Sequence, residues 1–102
     1  MNRLEKSYSE HLGLLQFGNV IHCWRYEKLK LKLAKKTWLT PDFLVIAGDG
    51  ALEFHEVKGH WEDDARVKIK VAAETYPEFR FLAVTRAAKN SCSDWEYEEI
   101  EP

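Results

Sequence analysis

The sequence predicts an α/β or α+β domain in which a central mixed β-sheet of four to five strands is flanked by two helices. Three observations predict it. Helical periodicity appears twice, over 3–17 and over about 62–76; four short β-rich runs lie between; and a further β-rich run follows the second helix. The chain has 102 residues, room for one hydrophobic core, and no repeat, low-complexity tract or Ser/Pro-rich linker interrupts it. Residues 1–102 are therefore expected to form a single domain with an acidic tail at 91–102.

In order, Arg3 to Phe17 reads as a helix. Asn2 caps it, with Glu5 at the reciprocal capping-box position, and Tyr8, Leu12 and Leu15 recur at helical spacing before Gly18-Asn19 stops it. Val20 to Tyr26 is rich in β-formers. Lys28 to Leu33 alternates strictly, lysines at 28, 30 and 32 against leucines at 29, 31 and 33, the pattern of a half-buried strand. A turn at Ala34-Lys35-Lys36 leads through Trp38 to Pro41. Phe43 to Ala47 and Ala51 to Lys58 form a hairpin about Gly48-Asp49-Gly50. Gly59 breaks the second of these strands. Glu62-Asp63-Asp64 opens the second helix at the positive end of its dipole, and the helix stops near Tyr76, before Pro77. Phe79 to Thr85 is a further strand, and Trp95 to Ile100 a short edge strand.

Composition excludes several classes. The chain is 45% hydrophobic and 31% charged, as ordinary globular proteins are. No apolar run reaches the roughly 18 residues of a membrane span, and no charged-then-apolar leader is present, so a cytoplasmic protein with no membrane partner is expected. Cys23 and Cys92 lack metal-type spacing and read as free thiols, the first in the core and the second in a loop. The net charge of −2 hides an asymmetry. Asp94, Glu96, Glu98, Glu99 and Glu101 crowd the last twelve residues with no Lys or Arg, which leaves 15 basic against 12 acidic residues in the rest. A basic body around a locally acidic cleft suits an enzyme acting on phosphodiesters.

The hairpin carries the chemistry. A three-residue loop at 48–50 pairs Ile46 with Leu52, Leu44 with Phe54 and Asp42 with Glu56, all on one face. The two carboxylates are then directly opposed, with β-carbons about 4.5–5.5 Å apart, where like charges repel. Lys58 continues the same face. An apolar strip that ends in Asp, Glu and Lys is costly unless the charges are paired or bind a cation. Carboxylate-only ligation suits Mg²⁺ or Mn²⁺. Lys58 reads either as a cation acting on a water or a phosphate, or as a salt-bridge partner of Glu56 or Asp42. Glu5 falls about 20° from Leu12 and about 60° from Tyr8 on a helical wheel, so it can face the sheet as a third carboxylate; its capping-box role is the other reading.

The remaining polar residues divide similarly. Lys28, Lys30 and Lys32, with Lys35 and Lys36 beyond, either track a phosphate backbone or solvate a strand edge. Arg66 and Lys70, one helical turn apart, either approach DNA beside the site or pair with Asp63 and Glu74, while Lys68 is expected to point elsewhere. His60 follows Lys58-Gly59 directly and reads as a contact for a phosphate. His55 alternates to the face opposite Glu56, and His11 and His22 give no separable signal. Trp24, Trp38 and Trp95 read as core or sheet-packing residues; Trp61 alone, by its place in the loop after Lys58, is a candidate for DNA contact.

Thr40-Pro41-Asp42-Phe43 followed by Glu56-Val57-Lys58-Gly59 resembles the PD-(D/E)xK nuclease signature. Leu4-Glu5-Lys6 opening the first helix and Glu56-Val57-Lys58-Gly59-His60-Trp61-Glu62-Asp63-Asp64-Ala65-Arg66 extend the likeness to the phage endonuclease-I type of Holliday-junction resolvase, over about residues 3 to 85. The resemblance implies a restriction-endonuclease-like core and a divalent-metal-dependent DNA endonuclease acting on branched DNA. It implies Asp42 as central metal ligand, Glu56 as second carboxylate ligand, the Val57 carbonyl as a further ligand and Glu5 as the carboxylate for a second metal. Lys58 would act on the nucleophilic water, with one or two Mg²⁺ or Mn²⁺ ions per site. DNA as partner, a homodimer making paired cuts, and the cytoplasm of a phage host are implied too. A less specific nicking or DNA-processing nuclease, and a non-catalytic DNA-binding module on a nuclease scaffold, are the alternative readings. The chain departs from that family in its acidic tail and in a short segment before Pro41.

Overall fold

The computed structural model describes residues 1–102. Helix α1 spans Arg3–Phe17 and is closed by the expected capping box: the Glu5 N–H donates to Asn2 Oδ1 at 2.7 Å, and the Asn2 N–H donates to Glu5 Oε1 at 2.9 Å. Strands β1 (Ile21–Tyr26), β4 (Phe43–Ala47), β5 (Leu52–Val57), β6 (Arg80–Arg86) and β7 (Trp95–Glu99) form one sheet in the order β1-β4-β5-β6-β7. The β5–β6 pair is parallel, crossed over by α2 (Asp63–Thr75); the other pairs are antiparallel. The molecule is thus α+β, a mixed sheet with one helix on each face.

The β4–β5 hairpin has the register expected from the sequence, Leu44 opposite Phe54 and Ile46 opposite Leu52. Its turn depends on glycine at two points. A β-carbon on Gly48 would lie 2.8 Å from the Val20 carbonyl oxygen, and Gly50 has φ +89°.

One segment departs from expectation. The lysine–leucine alternation does not add a strand to the main sheet. Residues 31–34 form β2 (Leu31–Ala34), which pairs only with β3 (Thr37–Leu39), a stretch read from the sequence as connection. Lys28 and Lys30 precede β2, and Leu29 is exposed. The small sheet packs Leu31 and Leu39 against Ile69, Ala72 and Ala73 of α2 and Phe54 and Phe81 of the main sheet. Its inner leucines satisfy the alternation by packing alone, with no strand pairing to the main sheet.

Two apolar layers result, one on each face of the sheet. Under α1 lie Tyr8, Leu12, Ile21, Phe43, Val45, Val57, Val84 and Trp95. Each such large side chain, once buried, contributes about 1.5–3 kcal/mol. A polar chain threads this layer. The Tyr8 hydroxyl lies 2.6 Å from His55 Nδ1 and 3.1 Å from the Tyr97 hydroxyl, His55 Nε2 donates to Glu53 Oε1 at 3.0 Å, and Arg80 donates to Glu53 Oε2 at 2.7 Å. Every buried polar group in it has a partner, which is the condition for tolerating such groups in a core. No helix is long and apolar enough to cross a membrane.

Candidate functional site

Asp42 lies immediately before β4 and Glu56 near the end of β5, so the hairpin register that opposes Leu44 and Phe54 opposes these two carboxylates as well. Both are buried, at 6% exposure each. Each uses one oxygen to take a backbone N–H from the other strand. Asp42 N–H donates to Glu56 Oε1 at 2.6 Å, and Val57 N–H donates to Asp42 Oδ2 at 2.8 Å. This exchange closes the end of the β4–β5 ladder. Pro41 has no N–H, and the Asp42 N–H is taken by Glu56, so the end of β4 offers no donor to the Val57 carbonyl.

Burial, above all, pushes the Asp42 carboxyl up to about 6, against the lowering effects of the Val57 N–H and Lys58; Glu5 adds repulsion and a hydrogen bond. Glu56 is pushed up to about 7, again first by burial and then by the charge of Asp42. Their mutual repulsion is felt at Glu56, so the two carboxyls titrate as a coupled pair, both above the ordinary carboxylate range. Lys58 Nζ stands 3.9 Å from Glu56 Oε2, a distance of charge attraction rather than of a short hydrogen bond.

Glu5 belongs to the same cluster. Its charge reaches both Asp42 and Glu56, and it accepts a hydrogen bond from the Tyr26 hydroxyl at 3.0 Å. The cap and the site are two functions of one side chain, because the first turn of α1 sits over the end of β5, where Leu4 lies 3.9 Å from the β-carbon position of Gly59. Burial first, then the bond to Glu5, pushes the Tyr26 phenol up to about 12, so Tyr26 stays a donor. Sequence reasoning missed Tyr26. Its position on β1 opposite Phe43 follows from the β1–β4 pairing, which no local pattern specifies.

The carboxylates form part of the wall of a cleft of about 220 Å³, with Leu39, Thr40, Lys58, Ala65, Lys68 and Ile69. Lys68, expected to point elsewhere, faces this cleft. Arg66 and Lys70 do not. Arg66 is held by Glu98 at 2.8 Å, and Lys70 donates to the Glu101 carbonyl and lies 3.9 Å from Glu74, both beside a larger hollow of about 400 Å³ between α2 and β7. The reason is helical geometry: Ala65, Ile69 and Ala72 face inward, so Lys68 flanks them towards β3 while Arg66 and Lys70 flank them towards β7. His60 is exposed and 3.8 Å from Glu62. Lys30 and Lys32 are exposed on the β2–β3 hairpin. His55, as expected, is on the opposite face of β5. Trp61 packs against the α2 layer, with its indole N–H buried and unpartnered. Cys23 and Cys92 are free, Cys23 half-buried and Cys92 exposed.

No three acidic, His or Cys side chains converge as a closed cage for an ion. The donors nevertheless fit a hard cation. The second oxygens of Asp42 and Glu56, the Glu5 carboxylate and the Val57 carbonyl would all offer oxygen, the preference of Mg²⁺ and Mn²⁺. Three mutually repelling carboxylates, two of them buried, lose that repulsion when a cation lies among them.

One family model, that of DUF1064, a protein family of unknown function, matches residues 23–92, well over half of the chain. The chain belongs to the DUF1064 family. No curated protein and no solved structure matches it. The DUF1064 match takes in Asp42, Glu56, Lys58 and Lys68 and leaves out α1, with Glu5, and β7.

Proposed function

We propose that this DUF1064 chain is a divalent-metal-dependent DNA endonuclease that hydrolyses phosphodiester bonds, preferentially in branched DNA. One observation carries the reading: two buried, opposed carboxylates of raised proton affinity, with Lys58 beside them, lie at an open cleft. Strongly perturbed carboxylates that line a cleft mark a candidate functional site. The resemblance of Thr40 to Phe43 and Glu56 to Gly59 to the PD-(D/E)xK signature supports the same chemistry.

Asp42, Glu56 and the Val57 carbonyl would hold the cation, with Glu5 serving a second one. A cation there supplies positive charge that stabilises the charge growing on the phosphodiester. Lys58 would act on the attacking water, orienting it or assisting its deprotonation, or would steady a phosphate oxygen. Tyr26 holds Glu5 in place, and Lys68 meets a phosphate from the α2 side of the cleft. In the overall hydrolysis the water oxygen bonds to phosphorus, the bond to the 3′ oxygen breaks, and that oxygen takes a proton. The products carry 5′ phosphate and 3′ hydroxyl ends. Paired cuts in a junction need two such sites, hence a homodimer.

The test is cleavage of an end-labelled four-way junction and a matched linear duplex in Mg²⁺, Mn²⁺ or EDTA. Paired symmetric cuts in the junction alone, abolished by EDTA, are expected. Equal cutting of both DNAs would retain the nuclease and remove the junction preference. No cutting with any metal, while DNA still binds, would leave a non-catalytic DNA-binding module.

A further inference from the structure

The four tryptophans are not equivalent. Trp95 is buried, and Trp24 and Trp61 pack against the two apolar layers. Trp38 is 42% exposed, belongs to neither layer and pairs with no other aromatic ring. On β3 it alternates with Leu39, which is buried and lines the cleft, so Trp38 is on the outer face of the hairpin, two residues from Thr40 at the cleft and four from Asp42. Its register partner is Lys32. The amino groups of Lys30 and Lys32 lie 5.1 and 5.9 Å from the ring centroid, and both lysines are exposed.

An exposed ring with two lysine ammonium groups over it offers what a single-stranded nucleotide requires, a flat apolar surface that a base can take over from the exposed lysine side chains and cations for the phosphates on either side of it. A paired base inside a duplex cannot use that surface, since both its faces are already stacked. We propose that Trp38, with Lys30 and Lys32, is a stacking site for an unpaired base of DNA whose backbone runs on into the Asp42–Glu56 cleft. This inference rests on the nuclease reading for its choice of DNA, and it refines the substrate to DNA with unpaired nucleotides next to the cut, as at a junction centre or a flap. Trp38, Lys30 and Lys32 are binding residues here, with no part in the chemistry.

Binding measured in EDTA separates this site from cleavage. Labelled dT12, rU12 and a 12-base-pair duplex are titrated into the wild-type 102-residue chain and into Trp38→Ala and Trp38→Phe at one ionic strength, with intrinsic fluorescence followed in parallel. Wild type is expected to bind dT12 with quenching of indole emission. Trp38→Ala should weaken dT12 binding about ten-fold, the size typical of losing one base–aromatic stack, while duplex binding changes less than about two-fold. Trp38→Phe should retain most of the dT12 affinity and lose most of the quenching. Unchanged dT12 binding by Trp38→Ala, or equal losses for dT12 and duplex, would overturn the stacking site. Tighter, Trp38-dependent binding of rU12 would overturn the assignment to DNA. Because no metal is present, these outcomes are independent of whether the protein cuts: stacking without cleavage in Mg²⁺ would count against the nuclease alone, and cleavage without Trp38 dependence against the stacking site alone.

Discussion

Asp42 and Glu56 are carboxylates whose folded environment favours the proton, with values near 6 and 7 in place of the ordinary 3.8 and 4.5. Between about pH 4 and pH 7 the folded chain therefore binds more protons at these groups than the unfolded chain does, and stability falls as pH rises through that window. Below it the penalty is absent; above it the penalty is complete. In EDTA, the urea midpoint of the wild-type chain should fall from pH 5 to pH 8. Asp42→Asn should flatten this slope and raise stability at pH 8 by about 1–3 kcal/mol, because it removes one buried charge while the amide oxygen can still accept the Val57 N–H. An unchanged slope in the variant would refute that assignment. Lys58 makes the opposite contribution, since its charge favours ionisation of both acids. Lys58→Ala should lose about 100-fold or more in cleavage rate while calorimetry still detects Mn²⁺ binding. Loss of metal binding together with the rate would make Lys58 an accessory of the metal site instead.

The position of α1 decides whether Glu5 reaches the site, and buried polar contacts as well as packing hold that helix. Tyr8→Phe removes the partner of His55 Nδ1 inside the α1 layer and should cost about 1–3 kcal/mol in urea unfolding. Tyr26→Phe removes only the bond to Glu5; stability should fall by no more than about 1 kcal/mol, with Mn²⁺ affinity reduced about ten-fold in calorimetry. Equal Mn²⁺ affinity would mean that Glu5 serves α1 solely as a cap. The elements differ in how far the sequence specifies them. Register in the β4–β5 hairpin was legible because a one-residue slip would turn Phe54 and Phe43 to the wrong layers. The β2–β3 hairpin was not, since alternating Lys and Leu fits any half-buried strand and its three-residue partner is too short to show a period. On α2, the stripe of Ala65, Ile69 and Ala72 separates Lys68 from Arg66 and Lys70, but only the packing of α2 on the sheet fixes which flank meets the cleft.

At the scale of the molecule, the site joins α1, β4 and β5, so an ion bound there ties three elements together in the folded chain only. Mn²⁺ or Mg²⁺ at about 100 times its dissociation constant should add about 2.7 kcal/mol to stability, and Asp42→Asn should abolish the gain. The net charge of −2 gave little indication of the proposed DNA partner, and the structure shows how the acids are arranged. Glu98 and Glu99 of β7 are engaged by Arg66 and Arg80, on the side of α2 away from the cleft, whereas Lys58 and Lys68 face the cleft and Lys30 and Lys32 stand beside Trp38. Which cations remain free depends on pairing across the fold, and a count along the chain does not contain it. The carboxylate pair and Lys58, by contrast, were legible, because two adjacent strands carry them in one register. The most direct test of the account is conversion of supercoiled plasmid to nicked circles, which registers a single broken phosphodiester. In Mn²⁺ the wild-type chain should nick, EDTA should stop it, and Asp42→Asn, Glu56→Gln and Lys58→Ala should each fall by about 100-fold or more. Nicking that survives EDTA, or that Asp42→Asn and Glu56→Gln leave intact, would contradict the metal-dependent site at the centre of this account.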